Sequence, residues 1–476
     1  MRSINIFHGG LLVLTLTMGA CSKSFIDYTN PQTLPLDGTI KDLKSLTNAA
    51  NGVYNNFQNV DYYNRTFTLS PELISDNVFV SRRNSNRYLN HDNFSIGNGD
   101  GYVLGAWSAM YDVVVNANLA IAHGEAVNFI PGEEQGARQV IGEMYAARAL
   151  ALFDLVRFFA QPYNFTADAS HAGVPVITEP KNEIIAPPRE TVKVVYDQIV
   201  SDLQKSLTLM TAVKKDGRFT VIAAKALLAK VYLYMEKWAE AEQLATEVID
   251  NTTFKLLTNA QYVASWSAKF SGESLFEVAN LSTDNSGSDG IGYFYEPGGY
   301  GDALATQDLY DTYTSTDVRR ELIQAGTRTN AENPAYLVRK YPRGVSTRDD
   351  NIKVLRLSEV FLIRAEARAE QGKTNTAKNA GAQADLNTII QRADPTADPV
   401  TLTGDDLVNR IILERRKELA FEGNRLFDIN RKKMDLVLIQ SDQTRTFTYP
   451  NNRFIMPIPF SEVNTNPNIE QNPAWK

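Results

Sequence analysis

TVIAAKALLAKVYLYMEKWAEAEQLATEVID, residues 220–250, carries the plainest structural signal in this chain. Ala224, Leu227, Leu228, Val231 and Tyr232 recur at intervals of three and four, the period of a helix with an apolar face. A break at Lys237-Trp238 follows, and then Ala241, Leu244, Ala245, Val248 and Ile249 resume the same period. Two helices joined by so short a turn lie antiparallel. Small side chains at Ala229 and Ala241 let the two backbones approach, while Tyr232 and Trp238 wedge the outer faces.

Such a pair has the form of one tetratricopeptide unit, and an ordinary helical hairpin is the simpler alternative for this segment alone. The pattern recurs, however. Residues 355–393 read LRLSEVFLIRAEARAEQG, a turn, and NTAKNAGAQADLNTIIQRA. Residues 133–210 offer a third pair, 133–161 and 190–210, split by a loop holding Pro162, Pro175, Pro180, Pro187 and Pro188. Residues 43–58 and 103–126 add two more helices. Each unit buries its face only by stacking on a neighbour, so several in one chain favour a partial solenoid. The expected fold is mostly α: a tetratricopeptide-like helical-pair scaffold with long irregular loop insertions, forming a single body over residues 37–476.

The N-terminus specifies an address. Arg2 supplies a positive start, Leu11-Leu-Val-Leu-Thr-Leu-Thr17 an apolar core, and Met18-Gly-Ala-Cys21 a run of small residues before a cysteine. The apolar stretch is about half the roughly 20 residues that a spanning helix needs, so residues 1–20 read as a cleaved secretory signal. Cys21 is the single cysteine of 476 residues and has no internal disulfide partner. Small residues before it and Ser22 after it resemble a bacterial lipobox, a pattern in which the cysteine is acylated and becomes the new N-terminus; the alternative is a signal peptide with an incidental cysteine nearby, and an exported lipoprotein is expected. Residues 21–36, with Pro31 and Pro35, are expected to be a lipid-anchored extended leader.

Composition narrows the partners. The formal charge is −7, and signal removal deletes only Arg2, making the mature chain one charge more acidic. A nucleic-acid partner calls for a basic surface and is not expected. One cysteine and the scattered His8, His91, His123 and His171 do not make a zinc site; neither metal nor cofactor is expected.

Two stretches are too long to be simple connectors. Residues 76–102 hold six asparagines, Arg82, Arg83 and Arg87, and the aromatics Phe79, Tyr88 and Phe94. Residues 281–301 hold six glycines with Tyr293-Phe294-Tyr295 and Tyr300. The aromatics argue against disorder, and the glycines allow tight bends that present flat rings.

At this point the chain resembles the SusD/RagB-like lipoproteins of the Bacteroidetes outer membrane. The matching residues begin with Cys21 and Phe25-Ile-Asp27, then Trp107, Tyr111 and Asn116-Ala-Asn118. Glu143-x-x-x-Ala147-Arg-Ala149, Phe153-x-Leu-Val-Arg157-Phe-Phe and Gly217-Arg218 follow. Asp317-x-Arg319-Arg320 and Leu355-Arg-Leu-Ser-Glu359-Val-Phe-Leu-Ile-Arg364-Ala-Glu366-Ala match further motifs. The most specific is Glu414-Arg-Arg-Lys-Glu418-Leu-Ala-Phe-Glu422-Gly-Asn-Arg425-Leu-Phe-Asp428. Pro457-Ile-Pro and Asn466-Pro-Asn-Ile-Glu-Gln-Asn-Pro473 complete the series. The resemblance implies a surface glycan- or nutrient-binding subunit, facing outward, that forms a hinged lid on a SusC-like TonB-dependent transporter.

Sugar recognition suits aromatic faces flanked by planar amides and guanidiniums. The ligand-binding candidates are therefore Arg82, Tyr88, Asn90 and Asn93 in the first loop and Tyr293, Tyr295 and Tyr300 in the second. The alternative for each is that the ring pins its own loop. Trp107 belongs in the core, and Trp266 is a further platform candidate.

The charged C-terminal motif, expected as one helix near 405–431, invites a catalytic reading. At 100° per residue, Val408, Ile411, Ile412, Leu419, Leu426 and Ile429 share a face with Arg415 and Glu422, with Glu418 and Arg425 at its edge. Charges so placed need partners, so Arg415, Glu418, Glu422 and Arg425 are expected in a structural ion network reaching Arg364 or Arg368 on a neighbouring helix. The rival is a Glu418/Glu422 glycosidase pair, which requires carboxylates flanking an open cleft. Gly-x-Ser-x-Gly, phosphate-loop and His-Glu-x-x-His patterns are absent. The chain is expected not to be an enzyme. Two other readings stay open: a binder of peptides or other nutrients on the same architecture, and a helical-repeat scaffold or assembly lipoprotein.

Overall fold

The computed structural model describes residues 39–181, 183, 185–440 and 443–476. The expected signal, Cys21 and the leader lie outside the described residues. The helices of eight or more residues are α1 (Leu43–Phe57), α2 (Thr66–Leu73), α3 (Gly101–Ala126), α4 (Glu134–Phe159), α5 (Val192–Leu209), α6 (Val221–Tyr234), α7 (Trp238–Ile249), α8 (Leu357–Gly372), α9 (Ala377–Ala393) and α10 (Gly404–Glu418).

Several start where a side chain can accept hydrogen bonds from first-turn amides. Asp42 and Ser45 form a reciprocal capping box before α1. Asp100 accepts from the amides of Tyr102 and Val103 at α3, Thr191 from Val194 at α5, and Thr220 from Ala223 at α6. The helices then stack in succession. α1 packs on α3, α3 on α4, α4 on α5 and α5 on α6, and the series continues through α7 and α8 to α9 and α10. This is a mostly helical scaffold of paired helices.

The α6–α7 pair shows why these residues specify it. Ala223, Ala224, Ala226 and Ala229 of α6 and Ala241 and Ala245 of α7 are all buried, and their small side chains permit close backbone approach. Unlike the one-sided face expected from its spacing, α6 is buried all round except near Val221 and Lys225. It lies between α5 and α7 and also against β2 (Ser274–Val278), β6 (Ile352–Arg356) and α8. The main core runs from Leu46 to Ile469. It includes Trp107, which meets Phe159 edge-on at 4.8 Å.

A small antiparallel sheet sets the position of the two long loops. Its order is β1 (Val78–Val80), β3 (Ala303–Ala305), β5 (Ala335–Val338), β4 (Ile323–Gly326). Val78 faces Ala305 and Val80 faces Ala303. Antiparallel pairing therefore places the chain leaving β1 beside the chain entering β3. The Ser81 amide donates to the Asp302 carbonyl at 2.7 Å, and the Ser85 amide to the Asp302 carboxylate at 3.1 Å. The loops of residues 76–102 and 281–301, some 200 positions apart in sequence, thus leave the sheet at one edge.

The C-terminal motif departs from the expected single helix. α10 stops at Glu418, and a separate short helix covers Arg425–Arg431. Between them Phe421 and Gly423 adopt positive φ values of 68° and 75°. Fully buried Glu72 accepts hydrogen bonds from the amides of Phe421, Gly423 and Asn424 at 3.1, 2.8 and 3.2 Å. Those contacts replace the intrahelical bonds that would have continued the helix. A side chain at Gly423 would press on the backbone of Thr68, so this turn combines a left-handed conformation with a close approach. Placement at 100° per residue consequently fails beyond Glu418.

Candidate functional site

In the second loop, the one-turn helix Ile291–Tyr295 is anchored from below. Ile291, Phe294 and Tyr295 are buried. Phe294 meets Tyr88 edge-on at 5.4 Å, and Tyr295 lies parallel to Tyr341 at 5.8 Å. Tyr293 is left facing outward, half-buried. A tight return closes with the Tyr300 amide donating to the Tyr293 carbonyl at 2.9 Å, setting the two rings edge to face at 5.0 Å.

The first loop supplies the other wall. The Arg87 guanidinium carbon lies 4.2 Å from the Tyr300 ring centroid, a cation–π distance. Arg328 donates through Nη2 to the carbonyls of Arg83 at 2.7 Å and Tyr300 at 3.0 Å, so it staples the two loops together. On the far side Arg348 sits 5.1 Å from the Tyr293 centroid. Its segment is placed by backbone-to-backbone contact, because a Cβ on Gly344 would overlap the backbone of Gly292. Burial pushes the carboxyl of neighbouring Asp350 up to about 7, against the hydrogen bonds it accepts from the Arg343 amide.

Several residues expected to bind ligand have other positions. Tyr88 is buried, stacked on Tyr102 at 4.0 Å. Its hydroxyl accepts from Arg65 Nε at 2.9 Å and shares a 2.6 Å hydrogen bond with the Thr66 hydroxyl. Tyr295 is fully buried. Both rings pin their loops because the strand pairing folds these loops onto the core, and neither offers a face to a ligand. Asn90 and Asn93 are exposed, on the one-turn helix Leu89–Asp92 and just after it. Among the described residues, no hydrogen bond joins them to Tyr293 or Tyr300. Arg82 turns away, lining a separate cavity of about 380 Å³ with Phe79, Thr306, Glu332 and Tyr336. Trp266 is buried beneath Lys340, whose Nζ lies 4.2 Å from its centroid, and is no platform. Arg87 and Arg348 were not among the expected site residues. Arg87 belongs to a visible basic group, whereas nothing local marks Arg348.

The charged C-terminal motif is enclosed. Fully buried Arg415 pairs with Glu359 at 3.3 Å and Asp428 at 3.0 Å. Glu418 meets Arg319, Arg356 and Arg392 at 3.1, 2.9 and 2.7 Å. Glu422 meets Lys340 at 2.6 Å and Arg356 at 2.7 Å, and Arg425 meets Asp76 at 2.7 Å. Arg364, expected in this network, instead pairs with Asp385 of α9 at 2.7 Å. Arg368 bridges Asp385 and Glu242. The turn at 419–424 redirects the motif toward Arg356 and Glu359, at the start of α8, so these two residues occupy the place expected for Arg364. Burial raises the Glu418 carboxyl, but Arg392, Arg356 and Arg319 outweigh it and hold the group well below the usual carboxylate range. Glu418 is buried, the carboxylate-bearing side chain of Glu422 is only 5% exposed, and both are cation-bound, so they do not flank an open cleft as a glycosidase pair must.

The helical-pair scaffold thus brings two loops together and presents Tyr293 and Tyr300 beside Arg87 and Arg348. Comparison with known proteins gives the class. Residues 324–475 match the model of the SusD family, and residues 24–233 match a model described as starch-binding, associating with outer membrane. SusD-like protein P2 of Formosa agariphila is 26% identical, with 97% of this chain and 98% of that protein aligned. The crystal structure of a candidate sugar-binding protein from Bacteroides vulgatus superposes with a TM-score of 0.83 at 30% identity, covering 92% of this chain and 100% of that one. A SusD superfamily protein from Bacteroides thetaiotaomicron also gives 0.83, at 28% identity over 91% and 100%. The chain belongs to the SusD/RagB-like family. Members of that family are binding proteins, and this chain is one of them rather than an enzyme.

Proposed function

We propose that this protein is a surface-exposed, lipid-anchored glycan-binding subunit of the outer membrane. In this reading it captures oligosaccharides and acts as the lid of a SusC-like TonB-dependent transporter. The observation that carries the reading is the Tyr293–Tyr300 pair, with Arg87 and Arg348 beside it, presented on loops rather than in a closed cleft. Pyranose faces stack on aromatic rings while guanidiniums take hydroxyls, and an open platform admits a polymer side-on. Family membership and the lipobox at Cys21 support the location and the anchor.

The test is a screen of the mature, unlipidated chain from Ser22 onward against soluble polysaccharides and peptides. Affinity electrophoresis and tyrosine/tryptophan fluorescence are the readouts. Retardation by a glycan, lost in Tyr293→Ala and Tyr300→Ala variants that still fold, is the expected result. Binding to peptides alone would replace the cargo. Silence across the panel would favour a scaffold role. In cells, Cys21→Ala should release the protein from the outer-membrane fraction.

A further inference from the structure

The charge around the tyrosine pair is not that of the chain as a whole. Against a formal charge of −7, three guanidiniums contact this tyrosine pair or its backbone, those of Arg87, Arg328 and Arg348, and Arg83 lies in the adjoining segment. Arg328 links the Arg83 and Tyr300 backbones, Arg87 covers Tyr300 and Arg348 adjoins Tyr293. Among the described residues the side chains of Arg83 and Arg348 have neither a hydrogen bond nor an ion-pair partner, and both are exposed. Arg87 Nη1 is buried and donates no hydrogen bond; Asp289 Oδ1 stands 3.5 Å from it and the same distance from Arg65 Nη1. The other carboxylates nearby are committed. Asp61 accepts from Thr66 and Arg65, Asp349 from Arg343 and Lys269, and buried Asp302 from Ser85. Arg348 is also held at a positive φ of 57°, a conformation uncommon outside glycine.

The unpaired guanidinium of Arg348 and that of Arg87, held only by the 3.5 Å contact to Asp289, lie beside aromatic faces and are suited to a sugar that carries an oxyanion. The planar fork matches a carboxylate or sulfate with two parallel hydrogen bonds, while the ring beneath takes the pyranose face. We propose that the Tyr293–Tyr300 surface selects acidic glycans, polymers bearing uronate carboxylates or sulfate esters, over neutral ones. This deepens the glycan-binding reading above and rests on it.

Matched polymers test it with the mature chain from Ser22. Polygalacturonate is compared with its highly methyl-esterified form, chondroitin sulfate with unsulfated chondroitin, and both pairs with neutral pullulan and galactomannan. The expected result is retention by at least one acidic polymer. Affinity should fall about tenfold for each charge-assisted contact removed, whether by masking the acid group or by Arg348→Gln or Arg87→Gln at unchanged thermal midpoint. Binding should also weaken as salt rises. The ester arm identifies carboxylate as the anchor and the chondroitin arm identifies sulfate. Two results overturn the inference while leaving the glycan reading intact: retention by neutral polymers alone, or acidic-polymer affinity indifferent to both arginine substitutions. Silence on every glycan overturns both.

Discussion

Arg415→Leu separates a structural role for the C-terminal motif from a catalytic or ligand-binding one. Arg415 is fully buried and holds Glu359 and Asp428 at 3.3 and 3.0 Å. Breaking a buried ion pair costs about 3–5 kcal/mol, mainly because a charge is left unpaired. Here neither carboxylate is left alone: Glu359 keeps Lys230 at 2.9 Å, and Asp428 keeps Arg431 at 2.8 Å. Arg415 Nη1 moreover donates no hydrogen bond, so its loss removes one unsatisfied donor. The expected cost is therefore at the lower end, about 3 kcal/mol. An unfolding entropy near 2 cal/mol/K per residue, over roughly 430 residues, sums to about 0.9 kcal/mol/K. For one cooperative transition the melting midpoint should fall by about 3 °C. Scanning calorimetry measures the midpoint, and affinity electrophoresis on the captured glycan measures binding, which should not change. A folded variant with an unshifted midpoint and lost binding would refute the reasoning.

Tyr300→Ala removes the face under Arg87 and should weaken glycan binding about tenfold with little effect on the melting midpoint; undiminished retardation would exclude the ring from the site. Tyr88→Ala should act in the opposite way. Deleting a buried ring that stacks on Tyr102 costs about 3–5 kcal/mol of stability, read by chemical denaturation, and an unaffected denaturation midpoint would contradict that placement. Stability should also depend on pH at both ends. Glu366 is buried, yet Arg431 and Lys432 hold its carboxyl down at about 2, against an ordinary 4.5. Its contribution is thus present above 4.5 and is lost as pH falls toward 2. Burial raises Asp350 from 3.8 to about 7, so the fold favours its protonated form, and stability declines as pH rises through 7. Melting midpoints measured from pH 3 to 9 should show both slopes, with the upper one absent in Asp350→Asn. An identical upper slope in that variant would assign it to another group.

Local periodicity made the scaffold legible. Ala224, Leu227, Leu228 and Val231 on one helix and Ala241, Ala245 and Val248 on the next fall at intervals that only a helix brings to one side, and all are buried. The break in the C-terminal motif was not legible in the same way. Its cause is Glu72, about 350 positions earlier, which accepts the amides of Phe421, Gly423 and Asn424. The site divided similarly. The two aromatic loops stood out by composition, but composition does not distinguish a tyrosine that faces outward from one that faces the core. Tyr293 and Tyr295 are two residues apart on a single helical turn, and that turn buries one and presents the other.

By itself the sequence determined the helical pairs, the resemblance to SusD/RagB-like proteins and the presence of two unusual loops, because each depends on residue types at short spacing. Tertiary structure alone decided that these loops meet. The antiparallel pairing of β1 with β3 joins segments more than 200 residues apart, and the Gly292–Gly344 contact sets Arg348 beside Tyr293. Neither contact leaves a local pattern. A strand pairing is selected by the whole buried core, and a close backbone approach depends on side chains that are missing from both partners.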